Sequence, residues 1–281
     1  ASRAAAYGAR IARRGFDASA SALNLRGGVR VLGVCHDHRK PNRMSALSEP
    51  LPAASVAPDE ASRRFQQSGF AVIADVLAAE ECEAIARRVP SSGDPGGRHL
   101  LEADWCVAIA AAIRRHPRVA ELIPPDHVAV QCLWFEKSVA TNWLVALHQD
   151  LGIPVAARSE DPALSGWSEK ADVLHVQPPV ALLEQLIALR LHLDDCGEDD
   201  GPLRVVPGSH RLGRLDPEAA SRCRAGQGEV ACVAARGSVM AMRPLLLHAS
   251  SRATGDSQRR VLHFVFGPRG LPHGLRWRFG A

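Results

Sequence analysis

Two histidines and one aspartate in this sequence have the types and spacing that suit a metal site. His148 and Asp150 are separated by one residue and lie at the end of the apolar run 143–148. Side chains two residues apart point to the same face of a strand, so this pair can reach one atom. His248 ends a second apolar run and is the candidate for a third ligand. Two neutral imidazoles and one carboxylate on one face of an octahedron are the donor set of non-haem iron(II) oxygenases.

An arginine follows the third candidate ligand at a useful distance. Such a triad leaves three metal positions free, which a chelating 2-oxo acid and dioxygen can fill. The distal carboxylate of a 2-oxo dicarboxylate then needs an anchor. Arg259 lies eleven residues after His248, and a guanidinium binds a carboxylate through two parallel hydrogen bonds. Ser250 can add a hydroxyl on the same face. This pattern predicts iron(II), 2-oxoglutarate and O2 as the cofactor and cosubstrates.

The His-x-Asp pattern also occurs elsewhere, because a chain with twelve histidines contains it easily by chance. His192 and Asp194 form a second copy, but few strands would remain between it and His248 to build the fold. Cys35-His36-Asp37-His38 is a further cluster of ligand types, but not a His-x-Asp copy, in a stretch without an evident scaffold. The combination of the motif, a strand-end histidine about a hundred residues later and then an arginine favours the first copy.

The elements that must hold these residues change in type along the chain. Helices are expected from Asp59 to about Gln67, from Ala78 to Arg88 and from Leu101 to His116, with a strand over 70–77. From about residue 126, short apolar runs alternate with Gly, Pro, Asp and Ser clusters. These runs cover 127–135, 143–148, 182–193, 203–207, 229–234, 238–242, 244–249 and 260–266. Many short strands with turn punctuation predict a β-sandwich or barrel preceded by a helical layer.

The first 58 residues differ from the rest in composition. Residues 1–43 contain nine Lys and Arg but only two acids, and residues 44–58 are rich in Pro and Ala. The first stretch is interpreted as a basic leader that is disordered or not part of the mature protein. It is either an upstream translated stretch or an organellar transit peptide, and the second stretch is interpreted as a linker. The catalytic domain is then 59–281, and a cytoplasmic location is expected unless the leader is a transit peptide.

Charge and cysteine usage exclude several classes of protein. Residues 44–281 hold 25 basic and 28 acidic side chains, so this part has no basic footprint for nucleic acid. No run of apolar residues is long enough to span a membrane. The seven cysteines are scattered without a CxxC pair, which favours reduced thiols over a disulfide framework or a structural zinc site. A small-molecule substrate is therefore expected.

The sequence resembles the phytanoyl-CoA dioxygenase family of iron(II)/2-oxoglutarate oxygenases from about Phe65 to Trp277. The segments that carry the resemblance are Gly69-Phe-Ala-Val-Ile, His148-Gln-Asp150, Arg190-Leu-His-Leu-Asp-Asp195, Gly201-Pro-Leu-Arg-Val-Val-Pro-Gly-Ser-His210, His248-Ala-Ser250 and Arg259-Arg260. The stretch from Asp195 to His210 is the most specific of them. The insert between Asp150 and Leu182 matches no common pattern of the family and is expected to shape the substrate pocket.

The resemblance implies a mainly β fold with flanking helices, built on a double-stranded β-helix or jelly-roll core. It implies iron at His148, Asp150 and His248, and 2-oxoglutarate at Arg259 with help from Ser250. Lys137 lies where some members direct a lysine toward 2-oxoglutarate. Related halogenases replace the carboxylate ligand by a small residue, so Asp150 favours hydroxylation of a C–H bond with release of succinate and CO2.

Several side chains near these motifs keep two interpretations. Arg190 either contacts substrate or cosubstrate, or forms an ion pair with Asp194. His263, Trp143 and Trp167 could reach the pocket, but core packing is expected for each. His210 is expected to have a structural role in its turn.

Two other functions remain open from the residues alone. A metal-dependent hydrolase on a cupin-like fold could use the same ligands with an activated water, although it leaves Arg259 unexplained. A catalytically inactive jelly-roll binding protein is the other alternative. The oligomeric state is not readable from the sequence.

Overall fold

The structure is a computed structural model that describes residues 58–89, 99–256 and 258–280. Its helices are α1 (Pro58–Ser68), α2 (Ala79–Ala86), α3 (Asp104–Arg115), α4 (Pro117–Ala120), α5 (Val180–Leu183) and α6 (Pro217–Gln227). Its strands are β1 (Phe70–Ile73), β2 (His127–Lys137), β3 (Val145–His148), β4 (Ile153–Pro154), β5 (Ser165–Lys170), β6 (Val173–Gln177), β7 (Ile187–His192), β8 (Leu203–Val205), β9 (Val230–Cys232), β10 (Val239–Met242), β11 (His248–Ser250) and β12 (Arg259–Pro268). Short 3-10 turns cover Leu100–Glu102, Glu198–Asp200 and Ser209–Leu212.

Two antiparallel sheets form the core of the fold. The larger sheet has the order β1-β10-β7-β12-β2, and the smaller has the order β3-β11-β8-β9. Side chains of the two sheets pack together, with Met240 and Met242 of the larger sheet against Leu203 and Val205 of the smaller. This arrangement is a jelly roll with flanking helices, and it confirms the predicted fold class.

The two faces of the larger sheet have different environments. On the outer face, Leu189 and Leu191 of β7 and Phe264 of β12 pack against the helical layer in one apolar cluster. On the inner face, Arg190 lies opposite His263 in the β7–β12 ladder. Because side chains alternate between faces along a strand, the apolar outer residues fix the polar residues toward the interior of the roll.

The predicted N-terminal helices are all present. Helix α1 ends where Gly69 adopts a φ of 81° and donates its N–H to the Phe65 carbonyl at 2.9 Å, as expected for a helix-ending glycine. A Cβ at Gly69 would lie 2.4 Å from Nδ1 of His210, so the two residues pack closely. The strand expected over 70–77 ends earlier, at Ile73, because Asp75 turns the chain with a φ of 56°.

The run 182–193, predicted as one strand, is divided in the structure. Its first part belongs to the helical turn α5, and only Ile187–His192 forms a strand. Leu182, Leu183 and Leu186 are buried in a core cluster all the same. Apolar periodicity cannot separate a short buried helix from a strand, and the two prolines before Val180 start a turn instead.

The insert after Asp150 forms a small antiparallel sheet of its own, with the order β4-β6-β5. Ile153, Val155 and Val176 of this insert sheet pack on Val130 and Val265 of the larger sheet. Burial of each such aliphatic side chain contributes about 1.5–3 kcal/mol, which anchors the insert to the roll.

The basic leader and all but the last residue of the expected linker lie outside the described residues, so their interpretation stays a prediction. Within the described ranges, no helix combines the length and the hydropathy that crossing a bilayer requires.

Candidate metal centre

The three candidate ligands come together at one edge of the smaller sheet. His148 and His248 are directly opposite each other in the β3–β11 ladder, and their ring centroids are 4.1 Å apart. Asp150 follows β3, with its N–H donated to the Pro244 carbonyl at 2.9 Å. Its Oδ1 lies 3.7 Å from Nε2 of His148, and its Oδ2 lies 3.7 Å from Nε2 of His248. One ligand atom from each residue lies within 4.8 Å of the others.

Backbone hydrogen bonds fix both imidazole rings. Nδ1 of His148 lies 2.8 Å from the Ala146 carbonyl, and Nδ1 of His248 lies 2.8 Å from the Leu246 carbonyl. A carbonyl only accepts, so each Nδ1 carries the proton and each Nε2 presents a lone pair toward Asp150. This fixed tautomer is what a metal-binding histidine requires.

Burial and the facing charges shift the pKa values of all three candidate ligands. Burial lowers the pKa of His248 to about 4, so its ring is neutral. Burial lowers the pKa of His148 too, but the facing Asp150 carboxylate and the backbone contacts at Ala146 and His248 together offset this, so the pKa lies above its usual value. Burial would raise the pKa of Asp150, yet the facing histidines hold it well below its usual range. The carboxylate is therefore ionised and faces two imidazoles, so the residues fit an iron(II) ion.

Gln149, between the candidate ligands His148 and Asp150, fixes the conformation of the loop that holds them. Its amide nitrogen donates to the carbonyls of Gly213 at 2.8 Å and Leu245 at 2.7 Å. Its amide oxygen accepts the N–H of Leu215 at 2.8 Å. Three hydrogen bonds on one buried side chain orient the residues on both sides of it. The sequence analysis did not assign Gln149 a role.

A cavity of about 140 Å³, the inner cavity, opens beside the triad into the roll. Arg259 and Arg190 line it, and each is at least nine-tenths buried. The Nε of each guanidinium has no hydrogen-bond partner among the described residues. Of the side chains that line the cavity, only Asp150 carries a negative charge. Two buried cations facing one carboxylate favour an anionic ligand, since buried charges are normally paired.

Ser250 and Lys137 form a hydrogen-bonded group at the Arg259 end of the inner cavity. Nζ of Lys137 donates to Ser250 Oγ at 2.7 Å and also to the Ser251 carbonyl. Ser250 Oγ donates to the Gly201 carbonyl at 2.9 Å, which also accepts from Arg259. Burial, and then the nearby Arg259, lower the pKa of Lys137 to about 8. Ser250 lines the cavity, whereas Lys137 does not line it and contacts Ser250 through its Nζ.

A cavity of about 350 Å³, the outer cavity, lies on the other side of the triad. His148, Asp150, Phe135, Leu133 and His263 line both cavities, so the two meet at the candidate ligands. One wall of the outer cavity is the insert sheet, with Ser168, Lys170, His175 and Gln177. The opposite wall is mainly apolar and includes Val130, Leu186, Val265 and Trp277, with the amide of Gln131 among them.

His263 was expected in the core, and that prediction is wrong. The ring is buried, but it lines both cavities, and its Nε2 is 4.0 Å from Asp150 Oδ2. Burial, and then the Arg190 charge, lower its pKa to about 3. The only sequence signal that His263 faces the cavity was its spacing of four residues from Arg259, which puts both side chains on the same face of β12.

The structure also places the other side chains for which the sequence left two interpretations. Asp194 accepts the Arg260 guanidinium at 2.8 and 2.7 Å, so the alternative ion pair between Arg190 and Asp194 is wrong. Both ring nitrogens of His192 are buried without a partner in the described part of the chain. Trp143 lines the inner cavity, and Trp167 packs at the insert core instead. His36 and His38, from the cluster near the start of the chain, lie outside the described residues.

A jelly roll with a His-Asp-His site at a strand end defines a class of metal-dependent β-fold proteins. The sequence model described as phytanoyl-CoA dioxygenase matches residues 65–261, which is more than half of the chain. The chain therefore belongs to the phytanoyl-CoA dioxygenase family. A search of curated proteins finds no match.

Solved structures share the fold at low sequence identity. AviO1 from Streptomyces viridochromogenes is 21% identical with a TM-score of 0.51, over 78% of this chain and 99% of its own. SnoN, an epimerase from nogalamycin biosynthesis crystallised with Fe3+, α-ketoglutarate and a nogalamycin compound, is 18% identical with a TM-score of 0.56, over 78% and 87%. HygX from Streptomyces hygroscopicus, crystallised with nickel and 2-oxoglutarate, is 19% identical with a TM-score of 0.53, over 76% and 88%.

Proposed function

We propose that this protein is an iron(II)- and 2-oxoglutarate-dependent dioxygenase that hydroxylates a C–H bond of a small organic molecule. The observation that carries the proposal is the adjacency of the His148-Asp150-His248 triad to a cavity lined by the buried Arg259. A metal site alone suits several chemistries. A metal site beside a buried, unbalanced guanidinium suits a chelating ligand with a distant carboxylate.

His148, Asp150 and His248 would hold iron through Nε2, one carboxylate oxygen and Nε2. Their rings are already oriented by the Ala146 and Leu246 carbonyls, so little ordering is needed on binding. When bound together, iron(II), 2-oxoglutarate and O2 supply the oxidising equivalent that hydroxylates a C–H bond, with succinate and CO2 as coproducts.

Arg259 and Ser250 would hold the far carboxylate of 2-oxoglutarate. Arg259 is fixed by the Gly201 carbonyl and has an unpartnered Nε, while Ser250 presents its hydroxyl in the same cavity. Lys137 orients Ser250 and adds positive charge within the buried group. Arg190 is a second buried guanidinium that lines the same cavity, and its contact with cosubstrate or substrate is part of the proposal as well.

The outer cavity would receive the substrate. Its apolar wall and the Phe135 and Leu133 side chains would contact the apolar part of a substrate, while the insert sheet offers polar groups to it. The protein thus positions one carbon atom near the metal and does no acid–base chemistry itself. The insert would set which molecule fits.

Hydroxylation is the finer part of the proposal. Asp150 is a carboxylate, as the hydroxylating triad requires, and the fold neighbours include an epimerase (SnoN) and a carbocyclase (SnoK), both described as α-ketoglutarate dependent. The three outcomes differ in product mass. Hydroxylation adds one oxygen atom, epimerisation leaves the mass unchanged, and oxidative ring closure removes two hydrogen atoms.

The first test is an anaerobic titration. Iron(II) and then 2-oxoglutarate are added to the apoprotein, and chelation is expected to give a weak visible charge-transfer band. The band should vanish in His148→Ala and Asp150→Ala and require far more 2-oxoglutarate in Arg259→Ala. Iron binding without a band would favour a metal-dependent hydrolase. The absence of iron binding would favour a non-catalytic binding protein.

The second test follows turnover. Succinate release is measured across a panel of metabolites, and the product of any hit is analysed by mass spectrometry under 18O2. A gain of one labelled oxygen atom supports hydroxylation. Succinate release with an unchanged product mass would assign the site to epimerisation instead.

A further inference from the structure

Arg190, His263 and Asp150 line the inner cavity and lie next to one another in that order. Nη1 of Arg190 is 3.2 Å from Nδ1 of His263, and Nε2 of His263 is 4.0 Å from Asp150 Oδ2. Arg190 and His263 are directly opposite each other in the β7–β12 ladder, so the backbone holds their contact in register. Both side chains are more than nine-tenths buried.

The chemistry of arginine decides the tautomer of this histidine. A guanidinium has five N–H donors and no acceptor, so Nδ1 of His263 must accept the hydrogen bond from Arg190. A neutral ring that accepts at Nδ1 carries its proton at Nε2. The Nε2–H of His263 therefore faces the Oδ2 atom of Asp150. In contrast, His148 and His248 carry their protons at Nδ1, because backbone carbonyls fix them in the opposite sense.

Aromatic packing holds Arg190 and His263 in place. The His263 ring meets Phe135 edge-on at 5.9 Å between centroids, and the Arg190 guanidinium lies 5.4 Å from the centroid of the same Phe135 ring. Phe135 thus contacts both members of the pair and restricts their rotation. The outer face of the same strands is packed by Leu189, Leu191 and Phe264, which leaves the two polar side chains little freedom to move.

We propose that His263, held in its Nε2–H tautomer by Arg190, is a positioning residue for Asp150. From its place 4.0 Å from Oδ2 it would donate to that oxygen in the metal-bound protein and leave Oδ1 alone to bind the metal. A carboxylate with both oxygens free can occupy two metal positions and so block one that a 2-oxo acid or O2 needs. A donor at Oδ2 leaves Oδ1 as the ligand atom. The inference rests on the proposed metal site, and it assigns a role to two residues outside the triad.

The experiment measures metal binding alone, without turnover. Cobalt(II) is titrated into the apoprotein under argon in the absence of 2-oxoglutarate, and the dissociation constant and visible d–d spectrum are recorded. His263→Phe retains the ring volume without a donor and is expected to weaken cobalt binding about tenfold, the scale of lost outer contacts. Its spectrum should also change, because Asp150 becomes free to bind through both oxygens. His263→Gln can place an N–H near the position of Nε2 and should restore affinity and spectrum.

Arg190→Met separates this role from simple electrostatics. Removing a positive charge near a cation site should by itself strengthen cobalt binding. If Arg190 acts through His263, Arg190→Met instead weakens cobalt binding about threefold to tenfold, because His263 loses its fixed tautomer. In a His263→Phe background the same substitution has no tautomer to disturb, so it should strengthen binding or leave it unchanged.

His127→Phe is the matched control. His127 is also a buried histidine of the larger sheet, hydrogen-bonded to the Gln185 carbonyl at 2.9 Å. It lies on the edge strand β2, six residues from Leu133, the partner of His263. That spacing corresponds to about 20 Å, so cobalt binding should stay at the wild-type value. Circular dichroism verifies that every variant is folded.

The outcomes are distinct for the two proposals. A wild-type protein that binds no cobalt overturns both the metal site and this inference. Wild-type binding with unchanged affinity and spectrum in His263→Phe overturns the inference alone. Tighter binding in Arg190→Met with His263 present also overturns it, since that result is the electrostatic effect without a tautomer effect.

Discussion

The inner and outer cavities meet at His148 and Asp150, while His248 lines the inner cavity alone, and the two cavities are built from different parts of the chain. The inner cavity is lined by strands of the roll and contains two buried guanidinium groups. The outer cavity has a wall of small or uncharged polar side chains and one lysine, supplied by the insert sheet. Charge is therefore concentrated where a dianionic cosubstrate would bind, and hydrogen-bonding groups of low charge where a substrate would bind.

The difference in construction has a consequence for specificity. Among the described residues, β4, β5 and β6 form their own sheet, with a further hydrogen bond from the Arg278 N–H to the Pro154 carbonyl of β4 at 3.3 Å. The ladders of the roll run through other strands. Side chains on the insert can therefore change without breaking a ladder that holds the triad. A change in the inner cavity alters residues that the two main sheets bury. This contrast predicts that cosubstrate binding and substrate binding respond to separate sets of substitutions.

The largest effect is expected at the junction of the two cavities. Asp150→Asn removes the negative charge that faces both imidazoles, so iron(II) or cobalt(II) affinity should fall by about a hundredfold or more, and succinate formation should be lost. Metal titration with a thermal melt as the folding check measures this. Full metal affinity in Asp150→Asn would show that the carboxylate is not a ligand.

A large effect confined to the inner cavity is expected from Arg259→Met. Loss of charge-assisted hydrogen bonds costs about 2–3 kcal/mol, so the dissociation constant for 2-oxoglutarate should rise about a hundredfold. Arg259→Lys should recover only part of this, because an ammonium does not reproduce the two parallel hydrogen bonds. The measurement is the anaerobic charge-transfer titration, and cobalt affinity without 2-oxoglutarate should not weaken. Equal 2-oxoglutarate affinity in wild type and Arg259→Met would contradict the division between the cavities.

A moderate effect confined to the outer cavity is expected from Gln131→Leu. Gln131 is buried on β2 and lines the outer cavity. Loss of one hydrogen bond to substrate should raise the KM for the substrate about tenfold, with an unchanged dissociation constant for 2-oxoglutarate. Steady-state kinetics and the anaerobic titration give the two values. A shift in 2-oxoglutarate affinity alone would reverse the assignment of the cavities.

The smallest effect concerns pH. The pKa of Lys137 is lowered to about 8 by burial and by Arg259, so its ammonium loses its proton as the pH rises through that value. The neutral amine no longer attracts an anion, so 2-oxoglutarate affinity should weaken severalfold between about pH 7 and 9. Lys137→Met should bind more weakly at pH 7 and lose most of this pH dependence. A wild-type affinity independent of pH would mean that Lys137 does not sense the cosubstrate.

Features of the site that depend on one short segment of the chain could be predicted from the sequence. The spacing of His148 and Asp150 predicted that they share a direction, and the structure brings them to the same place as His248. The Pro-Gly-Ser-His turn was assigned a structural role, in agreement with the close packing of His210 on Gly69. The helix end at Gly69 followed from the same kind of local rule.

Contacts between strands that are distant in the sequence could not be predicted by such local rules. The sequence analysis gave Arg190 an ion pair with Asp194 as one interpretation, because the two residues lie close on one strand. The structure pairs Asp194 with Arg260 and Arg190 with His263, both from β12. Cross-strand partners depend on ladder register, which alternation along one strand does not specify.

The sequence by itself predicted the types of the candidate ligands, their strand-end positions, a β-sandwich or barrel, and Arg259 as a candidate carboxylate anchor, while the jelly roll was implied by the family resemblance. The sequence determined these features because side-chain chemistry, strand periodicity and turn residues are local properties. Only the tertiary structure showed that His263 faces Asp150 and that Lys137 hydrogen-bonds to Ser250. It also showed that the insert forms one wall of the outer cavity. These depend on which strands lie side by side, and that is set by packing over the whole roll.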